Sequence, residues 1–164
     1  VTGVNLKTFI TGGTGSDSLN LEMPSGNESK YESSSVNIVA VAGLNSALRV
    51  LNQEKNMQRE CELTAYLIKK LSTIKEVKMF LPADLSNHIG IVSFTFNNMN
   101  SEDVGMILDE DFDIAVRTGY HCAPYIHKYL HDERTLGTIR IGLGQFTTKE
   151  DINQLIIALE EIKE

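Results

Sequence analysis

The sequence predicts an α/β or α+β sandwich, a small sheet with helices laid on it, and three observations carry that expectation. Short β-rich runs alternate with longer stretches of helical apolar spacing. The short runs are bounded by Gly, Pro, Asn and Asp, the residues that break regular structure. At 164 residues with ordinary apolar content, the chain suits one domain with an appended segment and can bury a core.

Taken in order, residues 12–35 are rich in Gly, Ser, Asn, Asp and Glu without sustained period and read as a long loop. A loop of that length is uncommon inside a compact domain. From Val36 the character changes: Ile38, Val39, Val41, Leu44, Leu48 and Leu51 make a broad apolar helical face, with Asn37 or a neighbouring Ser as its cap. A second helix over about 53–72 carries Met57, Cys61, Leu63, Leu67 and Leu71, and Cys61 is expected on its buried side. Strands are expected at 77–80 and 89–96, then a helix to about Asp109 capped by Asn100 or Ser101. A further strand is expected at 114–116, a short helix at 124–130 opened by Pro124, and a strand at 138–143. The last helix, 149–162, places Ile152, Leu155, Ile156, Leu159 and Ile162 on one face, with Thr147 or Thr148 at its cap.

Composition narrows the function classes. Fifteen basic against 22 acidic side chains give a net charge of −7, which argues against a general surface for nucleic acid. No apolar run approaches a bilayer-spanning length, and the N-terminus lacks the pattern of a signal peptide, so no membrane partner is expected. The two cysteines, Cys61 and Cys122, belong to no CxxC pair, which favours a reducing compartment, by default the cytoplasm, and no metal site is expected.

The chemistry concentrates at 113–124. An apolar run ends there in Arg117, Gly119, His121 and Cys122, followed by Pro124. An imidazole, a guanidinium and a helix N-terminus around a thiol all favour its reactive anion. The alternative is a cysteine that merely fills the core. Arg140, inside an apolar strand, either points to solvent from an edge or clamps a carboxylate with paired donors. Gly12, Gly13, Thr14 and Gly15 offer backbone NH groups and a hydroxyl to a phosphate, without the Lys-Ser/Thr ending of a nucleotide P-loop. Together these point to a small amino-acid substrate and a phosphorylated cofactor.

The stretch from Arg117 to Pro124 resembles the catalytic-cysteine segment of the pyridoxal-phosphate-dependent cysteine desulfurases, within the class V aminotransferases. Gly137-Thr138-Ile139-Arg140 and residues 144–152 resemble the family's closing strand and terminal-helix entrance, and Gly12 to Ser16, Tyr31-Glu32 and Val36-Asn37 have counterparts in the same order. The resemblance covers essentially the whole chain. It implies a small, mainly antiparallel sheet packed against helices, as in the C-terminal domain of a fold-type I pyridoxal-phosphate enzyme.

The resemblance also implies roles. Cys122 is the sulfur acceptor, His121 a loop neighbour that tunes it, and Arg140 the clamp for the substrate carboxylate; Gly13, Thr14 and Ser35 face the cofactor phosphate. Where the family reads Gly-Thr-Pro-Asn, this chain reads Ser34-Ser35-Val36-Asn37, which keeps the hydroxyl but loses Gly freedom and Pro rigidity, so weaker phosphate affinity is expected. Thr147 stands where the family usually has Asn. The family's cofactor lysine lies upstream of the segment matching Val1, so residues 1–35 are read as a remnant of a large cofactor domain and 36–164 as the small domain.

The expected parent is a homodimer that takes sulfur from L-cysteine, leaves alanine, and passes a persulfide to an acceptor protein for iron-sulfur or thiocofactor assembly. The 164-residue chain alone is expected neither to hold the cofactor nor to turn over substrate. A related lyase, decarboxylase or aminotransferase with Cys122 a bystander, and a non-catalytic binding module, are the alternatives.

Overall fold

The computed structural model describes residues 6–13, 15, 19–25, 30–51, 53–86 and 88–163. They fall into two compact units, Val1–Leu51 and Asn52–Glu164.

In the first unit the described residues before Asn37 form no helix or strand. Its one described element is α1, Ile38–Val50, opened by the Asn37 side chain accepting the Ala40 N–H at 3.0 Å. No residue of α1 is buried, and Ile38, Val39, Val41, Leu44, Leu48 and Val50 are all exposed.

The second unit holds the core. Helix α2, Gln53–Leu71, buries Leu63, Leu67 and Leu71 at the four-residue spacing of a single face. Met57 is exposed, and Cys61 is half-buried at the margin of that face. Strands β1 (Val77–Phe80), β2 (Ile91–Phe96) and β3 (Ile139–Gly142) form an antiparallel sheet in the order β1-β2-β3. Val92, Phe94 and Phe96, with Ile139 and Ile141, alternate onto one face and are buried. Helix α2 and α3 (Ser101–Phe112) lie against β2, and α5 (Lys149–Ile162) packs on both helices. The expected small antiparallel sheet against helices is therefore present.

Two expectations are revised. Residues 114–116 form no strand; the segment touches the sheet only through a bridge between Arg117 and Arg140. Asp113 ends α3 in the left-handed conformation (φ 56°), and the Ile114 N–H is spent on the Leu108 carbonyl at 2.8 Å, so the segment leaves the helix with one donor already committed. Helix α3 also runs to Phe112, beyond the expected end near Asp109. Asp109, Glu110 and Asp111 lie near a helix C-terminus, where acidic residues are unfavourable, but burial of Val104 and Leu108 on the core side anchors the last turns.

Candidate functional site

The sheet register builds the site. Phe80 pairs with Ser93, Ser93 with Arg140, and Arg140 with Arg117. Directly paired residues project to the same face, so these four side chains form a row across the face opposite the apolar core. The bridge is closed by two bonds, Arg117 N–H to the Arg140 carbonyl at 3.1 Å and Arg140 N–H to the Arg117 carbonyl at 2.7 Å. Helix α4, Pro124–Leu130, borders the same face. Between them lies a cavity of about 490 Å³, with Phe80, Leu81, Ile126 and Leu130 as apolar walls and Ser93, Thr138, His121 and Arg140 as polar groups. Arg140 is thus half-buried in a cavity wall; its Arg117 neighbour removes the free edge from which it would point to solvent.

After the bridge the chain turns sharply. Gly119 takes φ 87°, its N–H donates to Ser101 Oγ at 3.3 Å, and its carbonyl accepts the Thr138 N–H at 3.1 Å. Gly137, at φ 99°, passes so close to the Gly119 backbone that a Cβ there would overlap it. The next turn is closed by the Ala123 N–H donating to the Tyr120 carbonyl at 2.9 Å. Its two central residues, His121 (φ 51°) and Cys122 (φ 63°), both sit in left-handed space, at about 1–2 kcal/mol each. Strain of this kind is retained where the surroundings over-determine it.

Cys122 is exposed, and an Arg117 Nη2–H donates to its sulfur at 3.1 Å. The guanidinium makes that bond charge-assisted, and it becomes an ion pair when the sulfur is a thiolate. The His121 ring turns toward Thr138, its Nε2 lying 3.1 Å from the Thr138 carbonyl and 2.9 Å from Oγ1. A carbonyl only accepts, so Nε2 carries the proton, and Nδ1 is buried without a partner among the described residues. Burial, then the positive charge of Arg140, hold His121 below the ordinary histidine pKa of 6.5, which keeps the ring neutral.

In the first unit the Ser34 N–H donates to the Gly13 carbonyl at 2.5 Å, placing the 33–35 segment against the Gly12-Gly13 loop. A Cβ at Gly13 would meet nothing within 4 Å, and Ser35 is exposed. Ser34 itself takes φ 74°, the region a glycine occupies most easily. Thr14 lies outside the described residues. Cys122, His121 and Arg140 belong to the second unit, Gly13 and Ser35 to the first.

Two features escaped sequence reasoning. The Arg117–Cys122 bond joins residues whose types were suggestive but whose approach depends on the turn. His127 and Asp132, both buried with Nδ1 to Oδ2 at 2.5 Å, carried no signal, because a His and an Asp on opposite sides of a helix end read as solvated polar residues. Among the described residues no group of His, Cys, Asp and Glu is arranged to hold a metal ion, and no helix is long and apolar enough to cross a membrane.

The chain is similar to a probable cysteine desulfurase of Methanothermobacter thermautotrophicus, 35% identical over 136 residues, which cover 81% of this chain and 34% of that protein. A cysteine desulfurase of Pectobacterium carotovorum is 31% identical over 137 residues, covering 81% and 32%. Among solved structures, the apo cysteine desulfurase of Thermococcus onnurineus superposes with a TM-score of 0.73 at 26% identity, covering 97% of this chain and 38% of that one. A NifS-like protein of Rickettsia africae gives 0.63 at 27% identity, covering 89% and 40%. The chain therefore spans about a third of the length of the curated relatives it matches. The sequence profile of the aminotransferase class-V family matches residues 2–155, and the chain belongs to that family.

Proposed function

We propose that this chain is the sulfur-accepting part of a pyridoxal-phosphate-dependent cysteine desulfurase. The observation that carries the reading is Cys122: an exposed thiol on a strained turn, with a guanidinium donating to its sulfur, next to a cavity walled by Arg140. The names of the relatives support it.

The Arg140 guanidinium binds the carboxylate of L-cysteine, and the half-buried setting strengthens the pairing. Cys122, as thiolate, attacks the substrate sulfur. The sulfur–carbon bond of the substrate breaks as the S–S bond forms, leaving a persulfide on Cys122, while its electron pair stays with the carbon skeleton, which takes up a proton equivalent to the one lost from the Cys122 thiol and leaves as alanine. Arg117 holds the attacking sulfur. His121, neutral and engaged with Thr138 through Nε2–H, positions the turn that carries Cys122.

The chain's residues fit the cofactor's phosphate: Gly13 leaves open space, Ser35 offers a hydroxyl, and the Ser34–Gly13 bond joins the two segments. Gly13, Thr14 and Ser35 would hold that phosphate, in a homodimeric parent. When bound, pyridoxal phosphate supplies the electron sink that weakens the substrate's carbon–sulfur bond. Exposure of Cys122 suits delivery of the persulfide to an acceptor protein, and two free cysteines suit a reducing compartment, the cytoplasm.

The test uses the protein carrying this segment together with a cofactor domain. L-cysteine is expected to produce alanine and a protein persulfide, both abolished by Cys122→Ala and kept by Cys61→Ala. Alanine without persulfide would identify a related lyase in which Cys122 is a bystander.

A further inference from the structure

The Tyr120 carbonyl receives two donors, the Ala123 N–H that closes the cysteine turn and, at 3.1 Å, Nε2 of His127. His127 is buried on the inner side of α4, and its ring stands edge-on to the Tyr120 ring with centroids 5.1 Å apart. Its other nitrogen faces Asp132 Oδ2 at 2.5 Å. Asp132 is itself anchored: its main-chain carbonyl accepts from the Thr135 N–H at 3.1 Å and the Thr135 hydroxyl at 2.9 Å. A continuous chain of bonds therefore runs from the buried Thr135 turn through Asp132 and His127 to the carbonyl on which the two left-handed residues His121 and Cys122 hang.

We propose that His127 and Asp132 form a positioning pair that fixes the Tyr120–Ala123 turn, and with it the distance between Cys122 and Arg117. Neither residue touches the reacting sulfur. The backbone holds the entry to the strained turn through the Thr138 N–H and the Gly119 carbonyl, and the Tyr120 carbonyl one residue on receives the Ala123 N–H and the His127 side chain. A burial cost is accepted for this positioning: an isolated buried His–Asp pair gains little stability over apolar residues of the same size, and Asp132 Oδ1 remains buried without a partner among the described residues. The inference rests on Cys122 being the sulfur acceptor, but its test reads the turn without turnover.

In the 164-residue chain, iodoacetamide alkylation of Cys122 and Cys61 is followed separately by peptide mass spectrometry. Arg117→Ala is expected to slow alkylation of Cys122 by about 10-fold, the low end for one lost hydrogen bond to a charged group. In a His127→Ala background the same substitution is expected to change the rate by less than about 2-fold, since neighbours that no longer meet no longer couple. His127→Gln, which returns an N–H toward Tyr120, restores the coupling. An unchanged Cys61 rate reports an intact fold.

A full Arg117 effect in folded His127→Ala protein overturns the proposal. Should His127→Ala unfold the chain, His127→Phe with Asp132→Leu keeps the volume without the bonds. There, retained coupling overturns the pair and lost coupling supports it. A parent that forms no persulfide yet shows the coupling loses the proposed function and keeps the positioning pair.

Discussion

His121 gives the sharpest test at the residue scale. Its burial and the charge of Arg140 place its folded pKa below the unfolded value of 6.5. The unfolded state then binds more protons between the two values, so the stabilisation from a neutral ring is complete above 6.5 and is lost as pH falls toward the folded pKa. An NMR titration of the His121 ring is expected to show a midpoint below 6.5 that moves upward in Arg140→Gln; an unmoved midpoint would remove Arg140 as a cause. Gly137 gives a second test. Its φ of 99° and the overlap of any Cβ with Gly119 predict that Gly137→Ala destabilises by on the order of 3 kcal/mol in urea unfolding. Ser34 gives the converse, because it holds a left-handed φ of 74° with a side chain. Ser34→Gly is expected to stabilise the local turn by about 1 kcal/mol, read as slower exchange of the amide at position 34.

At the scale of elements, α5 is the most completely specified. Thr148 Oγ1 accepts the Asp151 N–H at 3.2 Å, and Asp151 Oδ2 accepts the Thr148 N–H at 2.8 Å, a reciprocal cap. Thr148→Ala is expected to lower stability by about 1 kcal/mol, while Thr147, whose hydroxyl accepts the Gly144 N–H outside the helix cap, is expected to cost less when replaced by Ala. Urea midpoints separate the two. Both threonines were plausible caps from sequence, and only the register of the first turn chooses between them. The 114–116 segment shows the opposite case. Its β-rich residues satisfy strand propensity, but the left-handed exit from α3 at Asp113 and the turn at Gly119 leave room for a single bridge, so tertiary geometry overrides local preference.

Across the whole molecule, every buried apolar side chain described lies between Leu63 and Leu159, within the second unit. A chain of residues 52–164 is therefore expected to fold alone, with one cooperative urea transition and the Cys122 alkylation rate of the longer chain. Loss of cooperativity would show that the first unit contributes to the core. Much of this organisation was legible in the chain itself. Helical spacing placed Leu63, Leu67 and Leu71 on one face, short β-rich runs marked the three strands, and Arg117 through Pro124 with Arg140 marked the candidate site. These signals are local, fixed by propensity, capping and periodicity over a few residues. The sequence determined which residues are the candidates for chemistry and which elements carry them. The tertiary structure alone decided that Arg117 and Arg140 share a sheet face, that Cys122 rides a left-handed turn within reach of Arg117, and that a buried His127–Asp132 pair bonds to the Tyr120 carbonyl of that turn. Each of those depends on backbone sign and on contacts closed between separate elements, and these exist only once the core has packed.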